Sequence, residues 1–184
     1  NGGYPTYFAN QRTFNVGAFW VGLDSALKIN CISYTGSLDI YDTSNQILMQ
    51  SWNTLKISKK DLVLTLDLNG TVTIYNILPT TIFNFSENGS YIGTANLTGL
   101  TNNSVKGYMS NFKMFVGTSE IHETYNDKKV LDLDFKPTRK SYLFKDNNNK
   151  CVIHPVNITQ RDYQDGQYCV SFNGTDQYLQ LGKN

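Results

Sequence analysis

The sequence predicts an all-β fold: an antiparallel two-sheet sandwich of the jelly-roll type, with almost no helix. Three observations carry that expectation. The 184 residues hold 18 Thr, 12 Tyr and 10 Phe but only three Glu (Glu87, Glu120, Glu123), so strand formers abound while good helix formers are scarce. Short stretches alternate apolar and polar residues, which is the period of a half-buried strand. Clusters of Asn, Gly and Asp, residues that make tight turns, punctuate those stretches. A dozen or so short strands without helices can bury their faces only by packing sheet on sheet.

Taken in order, residues 16–23, 27–34, 38–41, 47–52 and 55–58 read as the first strands. In Leu62-Val63-Leu64-Thr65-Leu66-Asp67-Leu68 the four leucines share one face, while Thr65 and Asp67 face the other way. Asn69-Gly70 then turns the chain into Thr71-Val72-Thr73-Ile74-Tyr75, with Val72 and Ile74 on one face. Asn-Gly between alternating segments is the strongest short hairpin signal. Phe112, Met114 and Val116 alternate with Asn111, Lys113 and Phe115, and Leu131, Leu133 and Phe135 alternate with Asp132 and Asp134. Residues 142–144 and 178–181 complete the strand candidates, and residues 119–125 alone look helical, for one or two turns. No Pro/Gly/Ser-rich linker divides the chain. Residues 1–184 therefore read as one domain, with 118–128 as the candidate joint. Residues 130–135 and 170–181 alternate so cleanly that they are expected inside sheets, paired within the chain or by a neighbouring subunit. Closure within the chain is favoured because it carries no association entropy.

Charge removes whole classes of function. Lys and Arg total 16 against 15 Asp and Glu, a net charge of +1, so no basic face is in view for a nucleic-acid partner. No apolar run approaches the ~20 residues of a membrane-spanning helix, so direct membrane insertion is not expected. Seven Asn-x-Ser/Thr acceptor sites stand at Asn69, Asn84, Asn88, Asn96, Asn102, Asn157 and Asn173, about twice the roughly 3.5 expected by chance from this composition. Asn69-Gly70 and Asn173-Gly174 are also turn dipeptides, which is their plainer reading. Of the three cysteines, a Cys151–Cys169 bridge would close a loop of about 19 residues and contribute on the order of 3 kcal/mol, with Cys31 free and buried. The alternative is three reduced core thiols. Acceptor sites and bridge together point to an extracellular or surface-displayed glycoprotein.

With the strands placed, a family resemblance emerges. Phe14-Asn15-Val16-Gly17-Ala18-Phe19-Trp20-Val21 resembles an early strand of laminin-G-like, concanavalin-A-like jelly rolls, and Trp52-Asn53-Thr54-Leu55-Lys56-Ile57-Ser58 resembles a later one. The 62–72 segment ending in Leu68-Asn69-Gly70 is similar to the family hairpin that follows. Tyr91-Ile92-Gly93 and the 105–115 segment resemble its closing strands, and Ser119-Glu120-Ile121 its short helical turn. The family's opening strands come last here, in 130–135 and 168–179, as in a circular permutant or a piece cut from a tandem array. Residues 14–125 thus resemble the family's middle and end, and 130–184 its beginning.

The resemblance implies a binding module, for glycans or surface glycoproteins, or one that mediates adhesion. The rival expectation is a structural subunit of a surface layer, fibre or virion that pairs with copies of itself by strand exchange. A glycoside-active enzyme ranks third, and no catalytic residue is assigned. A glucanase-type Glu-x-Asp-x-Glu strand is absent, and Asp132 and Asp134 read as the solvent face of an amphipathic strand. His122 and His154 form no metal-binding pair. Family members often carry a rim calcium. Asp146 with Asn147, Asn148 and Asn149, and the 162–165 segment with Asp162 and Asp165, supply clustered oxygens for Ca2+, although Asp and Asn also favour turns. Tyr163, with Tyr168 near it, could stack on a sugar face or simply pack on a sheet. Trp20 and Trp52 read as core.

Overall fold

The computed structural model describes residues 5–10, 17–79, 90–94, 104–116, 128–136, 144, 146, 151–158 and 162–183. Among the described residues the chain is all-β, with strands in antiparallel sheets and no helix. The strands are β1 (Thr6–Ala9), β2 (Phe19–Leu23), β3 (Lys28–Tyr34), β4 (Leu38–Gln46) and β5 (Leu55–Lys60). There follow β6 (Val63–Leu68), β7 (Thr71–Asn76), β8 (Ser90–Ile92), β9 (Lys106–Met109) and β10 (Phe112–Val116). The last five are β11 (Lys128–Leu133), β12 (Cys151–Val156), β13 (Asp162–Gln164), β14 (Gln167–Asn173) and β15 (Tyr178–Lys183). The helical turn expected at 119–125 and the strand expected at 142–143 lie outside the described residues.

A seven-stranded sheet runs β12-β15-β8-β1-β2-β3-β4, and smaller sheets are β5-β6-β7, β13-β14-β9 and β10-β11. Alternation decides what each strand buries. Val21 pairs with Cys31 on the inner face, and Trp20 pairs with Ile32 on the outer. A bulge between Thr6 and Phe8 turns both Tyr7 and Phe8 toward the core, where strict alternation would have sent them apart. One hydrophobic cluster then draws on all four sheets. It includes Phe8, Cys31, Ile92, Leu179 and Leu181 from the large sheet, and Leu64, Leu66 and Leu68 from β6. Leu131 and Leu133 join from β11, and Val170 and Phe172 from β14. Each fully buried leucine contributes roughly 1.5–3 kcal/mol relative to exposure. A small second cluster of Ala9, Ala18 and Trp20 covers part of the opposite face of the large sheet.

The 62–76 hairpin forms where the sequence places it. Asn69 and Gly70 take φ of 54° and 84°, the pair of left-handed residues that a two-residue mirror-image turn requires. Leu64, Leu66 and Leu68 are buried together, whereas Leu62 falls in the preceding turn and is 47% exposed. Val72 and Ile74 do share a face, but it is the solvent face. Register decides this: Leu66 opposes Thr73 and Leu64 opposes Tyr75, so Thr73 and Tyr75 are the inward residues.

The segment 47–52, expected as a strand, is a loop. Asn53 ties it up: its Oδ1 accepts from the N–H of Leu48 at 2.8 Å, and its Nδ2 donates to the carbonyls of Leu48 and Ser51 at 2.8 and 2.9 Å. A side chain that satisfies the local backbone removes the need for a ladder partner. β4 in turn runs longer than expected, to Gln46, across a bulge where Thr43 Oγ1 accepts from the N–H of Ile29 at 3.1 Å.

β4 is an edge strand of the large sheet, and β7 seals part of that edge with side chains. The Tyr75 hydroxyl donates to the carbonyl of Asp42 at 2.6 Å and accepts from its N–H at 3.1 Å. The Thr73 hydroxyl accepts from the N–H of Ser44 at 2.9 Å. Unpaired edge groups invite foreign strands, so these bonds both join two sheets and blunt an edge. At the chain's other end, β14 lies between β13 and β9, and β15 between β12 and β8. Both are interior strands paired within the chain.

Candidate functional site

The described surface has one place where large aromatic side chains stand together in solvent, the β13–β14 hairpin. The sequence Asp162-Tyr163-Gln164-Asp165-Gly166-Gln167-Tyr168-Cys169 builds it. Asp165 and Gly166 turn the chain with φ of 50° and 81°, again a mirror-image two-residue turn. That register sets Asp162 opposite Cys169, Tyr163 opposite Tyr168 and Gln164 opposite Gln167. Tyr163 is 63% exposed and Tyr168 39%. Their rings meet edge to face, with centroids 5.0 Å apart and planes at 62°. Such a pair contributes ~0.5–1.5 kcal/mol beyond its area, enough to hold one ring in place for a ligand.

The position of the pair follows from the strand period. Tyr168, Val170 and Phe172 alternate along one face of β14, and Val170 and Phe172 are buried in the shared core. The tyrosines therefore extend the core face of this sheet beyond its cover and into water. The hydroxyl of Ser110 donates to the carbonyl of Tyr168 at 2.8 Å and fixes the outer strand to its neighbour. Tyr108, 52% exposed, opposes Ser171 on β14. The arrangement offers aromatic faces and two phenols, while Gln164 and Gln167, each next in chain to a tyrosine, project from the opposite face of the hairpin. It offers binding groups, not a nucleophile with a base.

The residues expected to hold calcium do not converge. Asp165 occupies the hairpin turn, the plainer role that its residue type allowed. Asp146 is buried and accepts from the N–H of Cys151 at 3.1 Å, so it works on local backbone. Asn147, Asn148 and Asn149 lie outside the described residues. Among the described residues no three His, Cys, Asp or Glu side chains group as metal ligands.

Cys151 and Cys169 are both buried free thiols, on β12 of the seven-stranded sheet and β14 of a smaller one, and no bridge joins them. Burial raises the Cys169 pKa first, and the carboxylates of Asp162 and Asp165 raise it further against a lowering backbone hydrogen bond from Gln164. Cys31, expected free and buried, is both, and burial pushes its thiol up to about 12.

Of the seven acceptor asparagines, Asn84, Asn88, Asn96 and Asn102 lie outside the described residues. Asn69, Asn157 and Asn173 are exposed, and each uses its side chain to hold a turn. Asn69 Nδ2 donates to Asn53 Oδ1 at 2.8 Å, while its Oδ1 accepts from the N–H of Thr54 at 2.8 Å. Asn173 Oδ1 accepts from the N–H groups of Thr175, Asp176 and Gln177 at 2.9, 3.2 and 3.3 Å. Asn157 and Asn173 donate to the two oxygens of one carboxylate, Asp176, at 2.9 and 2.7 Å. This clasp, joining the end of β12 to the loop before β15, gave no signal in the sequence beyond turn-forming residue types.

Trp20 is buried, as expected, and Trp52 is half-buried. Asp134 accepts from the N–H of Lys136 at 3.0 Å, a local turn contact. Against known proteins, the chain matches no family model, no curated protein and no solved structure.

Proposed function

We propose that the chain is an extracellular or surface-displayed binding module that recognises glycans through the Tyr163–Tyr168 pair. The observation that carries this reading is an exposed aromatic pair fixed on a tight hairpin. A pyranose ring presents C–H bonds on its flat faces and hydroxyls on its rim. An aromatic face takes the first, and the phenol hydroxyls of the two tyrosines take the second. Four sheets sharing one core, with interior C-terminal strands, support a laminin-G-like or concanavalin-A-like sandwich as the architecture beneath the site. The abundance of acceptor asparagines supports the extracellular setting.

A glycan-array screen of the full chain tests the function, with Tyr163→Ala and Tyr168→Ala beside it. The reading expects a restricted set of bound glycans, with binding weakened by about 1–3 kcal/mol when either ring is removed. No bound glycan, or binding that both variants retain, would sink it.

A further inference from the structure

The edge strand β4 is only half closed. Its register with β3 is unbroken from Leu38 to Asp42, opposite Tyr34, Ser33, Ile32, Cys31 and Asn30 in turn. Successive residues of an antiparallel pair turn their N–H and C=O groups alternately toward the partner strand and away from it. Asp42 turns away from β3, because the Tyr75 hydroxyl meets both of its backbone groups from the other side. Ile40 and Leu38, two and four residues earlier, turn theirs the same way. Among the described residues nothing meets the N–H and C=O groups of these two, since β4 pairs with β3 alone and β7 reaches only Asp42 and Ser44.

The open stretch is bounded at both ends and differs on its two faces. The turn at Gly36, with φ of 114°, closes one end, and Tyr75 closes the other at Asp42. Leu38 and Ile40 carry their side chains onto the outer face, opposite the half-buried Tyr34 and Ile32, and are themselves 51% and 54% exposed. Asp39 projects from the other face, opposite Ser33. Its Oδ2 accepts from the Thr35 hydroxyl at 3.2 Å, and its Oδ1 has no partner among the described residues. An edge that reads apolar, acidic, apolar is complemented by a strand that reads apolar, basic, apolar. A second copy does not supply this. The two-fold register that engages Leu38 and Ile40 of both chains sets Asp39 opposite Asp39, and like charges directly opposite destabilise a pair.

We propose that β4 binds an extended segment of another protein by antiparallel strand addition along Leu38–Ile40, with a Lys or Arg of that segment opposite Asp39 and an apolar residue on either side of it. Backbone bonds to Leu38 and Ile40 supply attachment, and the alternate side chains supply choice of partner. The two apolar residues lie beside Leu38 and Ile40 and continue the apolar surface of Tyr34 and Ile32, while the basic residue meets Asp39 on the other face. The site is on a different sheet from Tyr163 and Tyr168 and does not depend on the glycan-binding reading.

The test is a titration of the full chain with two capped peptides, Ser-Thr-Val-Lys-Val-Thr-Ser and its counterpart with Glu at the centre, read by amide NMR shifts. Expected are saturable shifts at the amides of Leu38 and Ile40 with a Kd below ~1 mM for the Lys peptide, and binding of the Glu peptide about three- to tenfold weaker. Asp39→Lys reverses that preference by a similar factor, which a contact made by apolar side chains alone would not do. Ile40→Pro removes one donor from the open edge without touching a bond to β3, and abolishes the shifts. Hydrogen exchange on the unaltered chain keeps the test open if that variant does not fold. Saturating Lys peptide slows exchange at Leu38 and Ile40 by about tenfold or more, and leaves Asp39 and Tyr41, whose amides already face β3, nearly unchanged. No saturable shift at Leu38 and Ile40 below ~5 mM peptide overturns the proposal. So does equal binding of the two peptides, or a preference that Asp39→Lys leaves as it was. A chain that dimerises through these two amides without peptide assigns the edge to a second copy and overturns it equally.

Discussion

At the scale of single residues, side chains here do work that backbone usually does. Tyr75 bonds both the N–H and the carbonyl of Asp42 across two sheets. Tyr75→Phe keeps the ring, and its edge contact with Tyr41 at 5.2 Å, but removes both bonds. Expected is a loss of about 1–3 kcal/mol, measured by urea unfolding with an unchanged slope. A loss below about 0.3 kcal/mol would mean that water serves the β4 edge equally well.

Cys31 allows a prediction of opposite character. Its thiol pKa rises from 9.0 to about 12 on burial, so the folded chain holds a proton that the unfolded chain releases earlier. The stability this contributes is fully present below pH 9 and is lost as pH climbs toward 12. A thiol reagent at pH 8 should therefore leave Cys31 untouched until the chain unfolds, because the thiolate is the reactive form. Mass mapping of labelled peptides checks this, and rapid native labelling at Cys31 would contradict the burial. This residue was legible in advance, as a free cysteine in an apolar strand. The Asp176 clasp was not, because nothing local in Asn157 specifies a partner 19 residues away.

At the scale of elements, hairpins were the readable part. Asn69-Gly70 announced its turn because only residues tolerant of positive φ fit there, and Gly70→Ala should cost about 1–2 kcal/mol by calorimetry. Alternation located most of β2, β3, β5, β6, β7, β10, β11 and β15. It failed where side chains replaced ladder bonds, as with Asn53 in the 47–54 loop. It also gave the periodicity of β7 without its orientation. Two apolar residues, Val72 and Ile74, face water there because Tyr75 finds both an aromatic partner and two backbone groups inside. β12 escaped notice because Pro155 argues against a strand, yet an edge strand tolerates it. The Tyr163–Tyr168 pair was half legible: the residues stood out, but their pairing needed the Asp165-Gly166 turn to be recognised as a hairpin.

At the scale of the whole molecule, one core joins strands from both ends of the chain. Ending the chain at residue 125 would remove Leu131, Leu133, Val170, Phe172, Leu179 and Leu181 from that core. It would also strip β8 and β9 of their partners β15 and β14. Expected is a chain that binds hydrophobic dye and lacks a cooperative transition, and a truncated form that folds cooperatively as a monomer would refute the shared core. The approach of the two sheets is tight at Gly93, where φ is 92° and a Cβ would fall 2.4 Å from the Phe172 ring. Gly93→Ala should cost about 3 kcal/mol or more through combined strain and overpacking. At the surface, intact mass before and after glycosidase treatment should show glycans on at least three of the seven acceptor asparagines, and an unchanged mass would remove the main support for an extracellular setting.

β8 is only three residues long, yet it is the rung between β1, near the start of the chain, and β15, near its end. During synthesis that rung must wait. β2, β3 and β4 can pair as soon as they emerge, since each meets its neighbour along the chain, but the wide sheet cannot close until residue 181 has appeared to meet Ser90. Pairings that span so much chain form slowly, because their loop-closure entropy is spent before any contact rewards it. Until then the sheet is open on one side, with Tyr91 and Ile92 uncovered. The wide sheet is therefore most exposed just before β15 emerges, while its central rung is still half unclaimed.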